Sequence, residues 1–170
     1  MSDFDHPSDA VIIRFGSHTP FFLLTLSFGI FRDYRAKIDF TSLDAYIGYN
    51  MLAQPEHRSQ MIQAPNGWIA HRNLMGILQR GSLEDGSLIV RSGWEEEREE
   101  ILRRGLLYKY TQNLLCREIL LNTKRRPIFD DSRSDEFVFC IAGGQGQNLH
   151  GKLLEEIRQN PDIIERDAGS

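Results

Sequence analysis

The hydrophobic pattern opens with a β-branched run, Val11, Ile12 and Ile13, that continues to Phe15 and stops at Gly16, which predicts a buried strand. The apolar stretch over 21–31 is interrupted by Thr25, Ser27 and Gly29 and is expected to be extended or irregular. From Leu43 onward, Tyr46, Ile47, Met51 and Leu52 recur at the spacing that a helix gathers on one face. Thr41 with Asp44 three residues on resembles a capping box with Asp in place of the usual Glu, so Asp44 falls in the first turn. Further helices are predicted over 55–63, over 69–78, from Trp94 through Tyr110, over 114–121 with Asn122 as the stop, and over 149–158. The helix opening at Trp94 is the strongest, because Glu95, Glu96 and Glu97 complement its N-terminal dipole while Ile101, Leu102, Leu106 and Tyr110 continue an apolar stripe. Gly105 inside that stripe costs about 1 kcal/mol relative to Ala and so marks a close packing contact. Ile128 and the run over 137–141 flank a polar turn over 130–135, and the second run predicts a buried strand. From Pro161 the chain is charged and is expected to fray.

With 170 residues, 41% of them hydrophobic, the chain suits one core. The expected organisation is a flexible N-terminus over 1–10, a domain over 11–158 and a charged tail over 159–170. No apolar run reaches the roughly 18 residues of a membrane helix, and residues 1–10 carry no basic start or apolar segment of a secretory signal, so a cytoplasmic address without a membrane partner is expected. Cys116 and Cys140 sit in apolar contexts that suit buried free thiols. The five histidines show no ligand spacing, and neither a metal nor a cofactor is expected. At a net charge of −4, with the short run Lys124, Arg125 and Arg126 read as the solvated end of a helix, a non-specific nucleic-acid footprint is excluded.

Three features bear on chemistry, each with two readings. The glycine-rich turn over 143–148 is either a phosphate cradle at a helix N-terminus or a tight connection capped by Asn148. Asp44 is either a catalytic carboxylate or a first-turn dipole partner. Trp94 is either a core anchor or a stacking platform for a base. Local sequence leaves all three open.

The order of motifs carries more. Phe40, Thr41, Ser42, Leu43, Asp44, Ala45 and Tyr46, continuing to Met51, resemble without a gap the NADAR (YbiA-like) family segment that reads aromatic, Pro or Thr, Ser, Val, Glu, His, Tyr. Upstream, Thr25, Leu26, Ser27 and Phe28 fall on its Leu-Ser-Asn-Phe motif. Downstream, residues 70–76 resemble its Ala-Lys-x-x-Gly-Arg region, and Trp94 with Glu95 its Trp-Glu pair. Lys109, Tyr110, Gln112 and Asn113 fall on its Lys-Phe-x-Gln-Asn helix, Ser134 and Asp135 on its Asn/Ser-Asp pair, and Gly144, Gly146, Asn148 and Gly151 on its closing Gly-x-Gly-x-Asn-x-x-Gly. The resemblance spans roughly 11–158.

It implies an α+β, mainly helical fold: a single compact YbiA-like (NADAR) domain with a small β component. It also implies N-glycosidase chemistry on a ribosylated nucleotide, of the ADP-ribosyl-guanine or phosphoribosylamino-pyrimidine type of riboflavin synthesis. By resemblance Asp44 is the catalytic carboxylate, Trp94 stacks on or walls the base with Glu95 beside it, Asp135 and Asn148 contact ribose or base, and Gly144 and Gly146 hold phosphate. Ser27, Phe28, Gly48 and Met51 fall near the reacting end, and Arg14 is assigned to phosphate from its charge and strand position. The partner is then a ribosylated nucleotide or an ADP-ribose-like small molecule, free or carried on a nucleic-acid base. Against the family pattern, Asp44 replaces Glu, Met51 replaces Lys, Gly48 replaces Gln, Ala45 replaces His and Ser27 replaces Asn. Asp is one methylene shorter than Glu, a displacement of about 1 Å that can cost on the order of a hundredfold in rate. Met supplies neither a cation nor an amine. Two functions therefore stand side by side: an N-glycosidase acting through Asp44, and a catalytically impaired protein that binds or senses ADP-ribose or NAD-like nucleotides.

Overall fold

In chain order the elements are β1 (Val11–Ile13), a 3-10 turn (Pro20–Leu24), β2 (Phe31–Asp33), β3 (Ile38–Phe40), α1 (Leu43–Met51), α2 (Pro55–Gln63), α3 (Gly67–Leu78), α4 (Trp94–Gln112), α5 (Leu114–Asn122), β4 (Ile128–Asp130), α6 (Leu149–Ile157) and α7 (Pro161–Ala168). The computed structural model describes residues 6–14, 18–81, 86–133, 139–140 and 146–168. The class is mainly helical α+β, as the resemblance implies. Contacts divide the chain into two units, Leu26–Lys109 and the segments before and after it.

Within Leu26–Lys109, β2 and β3 form an antiparallel hairpin that sets Phe31 opposite Phe40. Its turn lacks Gly and Pro and is closed instead by Asp33, whose Oδ1 accepts the backbone N–H groups of Arg35 at 2.8 Å and Ala36 at 3.1 Å. Phe31 and Phe40 pack edge-on against Tyr46 of α1 at centroid distances of 5.6 and 5.2 Å. The cap of α1 is one residue later than the sequence suggests: Ser42 Oγ accepts the Ala45 N–H at 3.2 Å, while Thr41 Oγ1 donates to the Ala64 carbonyl at 3.1 Å. Pro55 occupies the start of α2, where its missing N–H costs nothing. Helix α3 begins two residues before the predicted start because the Asn66 side chain accepts the Ile69 N–H at 2.9 Å. Leu52, Met61, Leu74, Ile77 and Ile89 form a buried cluster beneath these helices. Gly105 of α4 is the close contact its position predicts, since a Cβ there would lie 2.7 Å from Leu43 Cδ2 and 2.8 Å from the Tyr46 ring.

In the other unit β1 and β4 pair in parallel, Val11 opposite Ile128 and Ile13 opposite Asp130. Arg126, part of the basic run, donates to the Asp9 carbonyl at 2.6 Å and the Ala10 carbonyl at 3.2 Å, so it fastens the chain leading into β1 rather than standing in solvent. Arg158 closes the end of α5 by donating to Thr123 Oγ1 at 2.9 Å and the Arg126 carbonyl at 2.7 Å. Cys116 and Cys140 are buried and form no disulfide, as their contexts suggest. Where fraying is expected from Pro161, the chain forms α7, with Ile163 buried. Of the strand expected over 137–141 only Phe139 and Cys140 are described, and neither lies in a strand; Phe15 is also outside the described residues. No described helix is long and apolar enough to cross a membrane.

Candidate functional site

Asp44 enters the first turn of α1 already fixed by the chain before it. Its backbone N–H donates to the Leu26 carbonyl at 3.1 Å, and its Oδ2 accepts the Ser27 hydroxyl at 2.7 Å. The helix N-terminus favours a carboxylate at this point, and Ser42 consumes one of the free N–H groups as the cap. Asp44 is 2% exposed, so its charge is held by these groups with little help from water. On its other oxygen, Oδ1, the Nδ1 atom of His71 approaches to 3.9 Å, an ion-pair distance too long for a hydrogen bond. A buried carboxylate, a hydroxyl donor and an imidazole thus meet at one point.

Position 67 explains how α3 comes so near. A Cβ on Gly67 would stand 2.4 Å from the Ser27 carbonyl oxygen and 2.5 Å from its Cα, so only glycine lets the helix start against this loop. The chain neighbours of that contact, Phe28 and Trp68, are large apolar residues that stay 44% and 60% exposed. Neither His71 nor Trp68 is singled out by sequence reasoning. The available signal is the i, i+3 spacing of Trp68 and His71, which puts both on one face of α3.

The other expected site residues fall in several places. Gly48 is buried against the core, where a Cβ would lie 2.5 Å from Met61 Sδ and 3.6 Å from Leu74 Cδ1. Met51 is half-buried and packs on the apolar cluster of Leu52, Met61 and Leu74. Trp94 is 5% exposed at the start of α4, and Glu95 beside it is exposed and paired with Arg98. Arg14 and Asn148 belong to the other unit. Arg14 is exposed and ion-paired to Asp131 at 2.9 Å. Asn148, in left-handed backbone with φ 52°, spends both ends of its amide on β4: Nδ2 donates to the Ile128 carbonyl at 2.9 Å and Oδ1 accepts the Asp130 N–H at 3.0 Å. Gly146 is described only as a bend with φ 108° leading to that residue. Asp135 and Gly144 lie outside the described residues.

One more buried pair sits in that unit. His150 Nδ1 and Asp130 Oδ2 are 2.5 Å apart with both side chains fully buried. Burial by itself would raise the Asp130 pKa, but the hydrogen bonds from His150 and Ser132 outweigh it and hold the carboxyl below its ordinary value.

The NADAR domain model matches residues 26–160. N-glycosidase YbiA of Escherichia coli (strain K12) is 31% identical over 75 residues, 44% of this chain and 47% of that protein. An N-glycosidase of Nostoc punctiforme is 31% identical over 70 residues, 41% of this chain and 45% of its own length. The chain thus spans less than half the length of the curated relatives it matches. The solution structure of Escherichia coli YbiA superposes with a TM-score of 0.71 at 20% identity, covering 96% of this chain and 92% of the other, which is a likeness of fold.

Proposed function

This chain belongs to the NADAR family, and we propose that it is an N-glycosidase that hydrolyses the bond between ribose C1′ and a base nitrogen in a ribosylated nucleotide. The observation that carries the reading is the Asp44 carboxylate, buried in the first turn of α1, hydrogen-bonded by Ser27 and faced by His71. As the C1′–N bond breaks, its electron pair leaves with the base and positive charge grows on the sugar ring. A carboxylate of low exposure stabilises that charge more strongly than one in water. Water then adds to C1′, one of its protons passing to Asp44, the base nitrogen gains a proton from the His71 imidazolium, and the proton on Asp44 passes back to His71 3.9 Å away to restore both groups. In sum, one water is added across the C1′–N bond. Positioned proton transfer of this kind contributes about 10²–10⁴-fold. Ser27 fixes the carboxylate oxygen that accepts its hydroxyl and leaves the other turned to His71. Substrates of two kinds fit this chemistry, ADP-ribosylated guanine and phosphoribosylamino pyrimidine.

A second reading, a nucleotide binder without turnover, is favoured by Met51, which packs on the apolar cluster at the position where the family carries an amine. Incubation with each substrate, with free base followed by chromatography, separates the two. Base release that disappears in Asp44→Ala supports the enzyme. A thermal shift of several degrees with ADP-ribose and no base release supports the binder. Silence in both assays overturns both.

A further inference from the structure

We propose that Trp68, together with Phe28, forms the stacking surface for the planar base of the ligand whose sugar lies at Asp44. This rests on the reading of the Asp44 cluster above and adds the group that recognises the leaving base.

Three observations bear on it. First, Trp68 and Phe28 are 60% and 44% exposed, and each directly follows in the chain one partner of the Gly67–Ser27 contact, so two large apolar side chains reach the surface from the two segments that meet there. Second, the Gly67–Ser27 contact, in which a Cβ would come within 2.4 Å of the Ser27 carbonyl oxygen, draws the start of α3 onto the loop that carries Phe28. Third, Trp68 and His71 lie one turn apart on α3, and His71 Nδ1 stands 3.9 Å from Asp44 Oδ1. The face of α3 that turns His71 toward the carboxylate therefore also carries Trp68. A ribose held at Asp44 would direct its base outward along that face, onto the indole. Trp94, at 5% exposure against 60% for Trp68, presents far less surface to a ligand. An aromatic wall accepts any planar heteroaromatic base through its π-face, so this surface supplies affinity and orientation while tolerating different bases.

The two tryptophans of the chain make the test direct. Trp68 is exposed and Trp94 is buried, so their emission separates into a red and a blue component. In the wild-type protein, GMP at millimolar concentration quenches the red component and ribose 5-phosphate, which has no base, does not. In Trp68→Phe the remaining emission is unaffected by GMP. In Trp68→Ala the GMP affinity measured by calorimetry falls about 5- to 150-fold, the range for losing one base-aromatic stack. Phe28→Ala falls in the same direction. Quenching that persists in Trp68→Phe, equal quenching by ribose 5-phosphate, or no quenching at all overturns the proposal. Asp44→Asn keeps the two claims apart: GMP quenching retained there with base release lost supports both. Base release in the wild type together with an unchanged KM in Trp68→Ala overturns the stacking surface alone.

Discussion

Gly151 sits in α6, where helix propensity says alanine should be better by about 1 kcal/mol. The packing says the reverse. A Cβ at this position would stand 2.2 Å from the Ile128 carbonyl oxygen of β4 and 2.5 and 2.6 Å from the two ends of the Asn148 amide. The first of these is backbone, and the other two belong to a side chain already held by Ile128 and Asp130 at 2.9 and 3.0 Å. Nothing there can swing aside, so the helix must lift from the strand. Overfilling of this kind costs about 1–3 kcal/mol. Straining the two buried hydrogen bonds of Asn148 adds about 1 kcal/mol for each one lost. After subtracting the propensity gain of about 1 kcal/mol, Gly151→Ala is expected to destabilise by about 2–4 kcal/mol, a large share of the roughly 5–15 kcal/mol of a typical domain. Gly76, in α3, is the internal control, because a Cβ there meets nothing within 4 Å. Gly76→Ala should stabilise by up to about 1 kcal/mol. Urea unfolding followed by far-ultraviolet circular dichroism reads both, with the midpoint of Gly151→Ala lowered by about 1–2 M at a typical slope. A Gly151→Ala midpoint equal to or above wild type refutes the account of the α6–β4 contact.

Ser27→Ala removes the 2.7 Å hydrogen bond to Asp44; a bond to a charged group is worth about 1.5–3 kcal/mol, so kcat/KM for base release should drop on the order of 10- to 150-fold, and an unchanged value would separate Ser27 from the reaction. Asp130 has a folded pKa below its unfolded value of about 3.9, its hydrogen bonds overcoming the opposing effect of burial. The stability it contributes is therefore complete above about pH 4 and lost as pH falls through the lower folded value. In urea midpoints the gap between wild type and Asp130→Asn should narrow from pH 7 to pH 2.5, and a constant gap contradicts the linkage. Tyr46 is pushed up to about 12, by burial above all, against the lowering effect of the Arg104 hydrogen bond. In an absorbance titration at 295 nm, the folded wild type and folded Tyr46→Phe should show the same number of tyrosines ionising near pH 10, and one more in the wild type would refute it.

Helices α1 to α6 were the legible part of this sequence because each carries its own signals, whereas α7 forms where the charged chain was expected to fray. Pro55 fixes the start of α2, the acidic first turn and apolar stripe define α4, and the run at Leu114 marks α5. Of the described strands, β1 carries a local mark in its β-branched run Val11, Ile12 and Ile13, whereas β2 and β3 carry none. Strands of three residues show no alternation to detect, the β2–β3 turn is built by the Asp33 side chain rather than by Gly or Pro, and β1 finds its partner only after the whole of α1 to α5 has been made. The candidate site divides in the same way. Asp44 is legible because it sits in a helix start that a cap announces. The Ser27 bond to it, across 17 residues, depends on a glycine at position 67 that local pattern reads only as the end of a turn. Asn148 looks like a ligand contact by its place in a glycine-rich motif, yet its amide is occupied by the strand beside it.

That occupancy changes how the family pattern should be weighed. In the closing Asn-x-x-Gly, the asparagine amide fills the gap between α6 and β4, and the glycine three residues later is what leaves the gap open; neither works without the other. The pair is held together by packing, whatever else it does. The same reasoning applies to the departures at Gly48 and Met51. Met61 Sδ occupies the volume that a side chain at position 48 would need, and Met51 packs on the cluster to which Met61 belongs. A glycine at 48 and the methionines at 51 and 61 therefore form one packing solution, in which two polar positions of the family pattern have been exchanged for apolar contact at the C-terminal part of α1. Asp44 lies in the first turn of the same helix, tied to Ser27 and Leu26 through bonds that involve none of those three residues. Loss of polarity at one end of α1 thus leaves the carboxylate at the other end held as before, and chemistry at Asp44 does not have to fall with it.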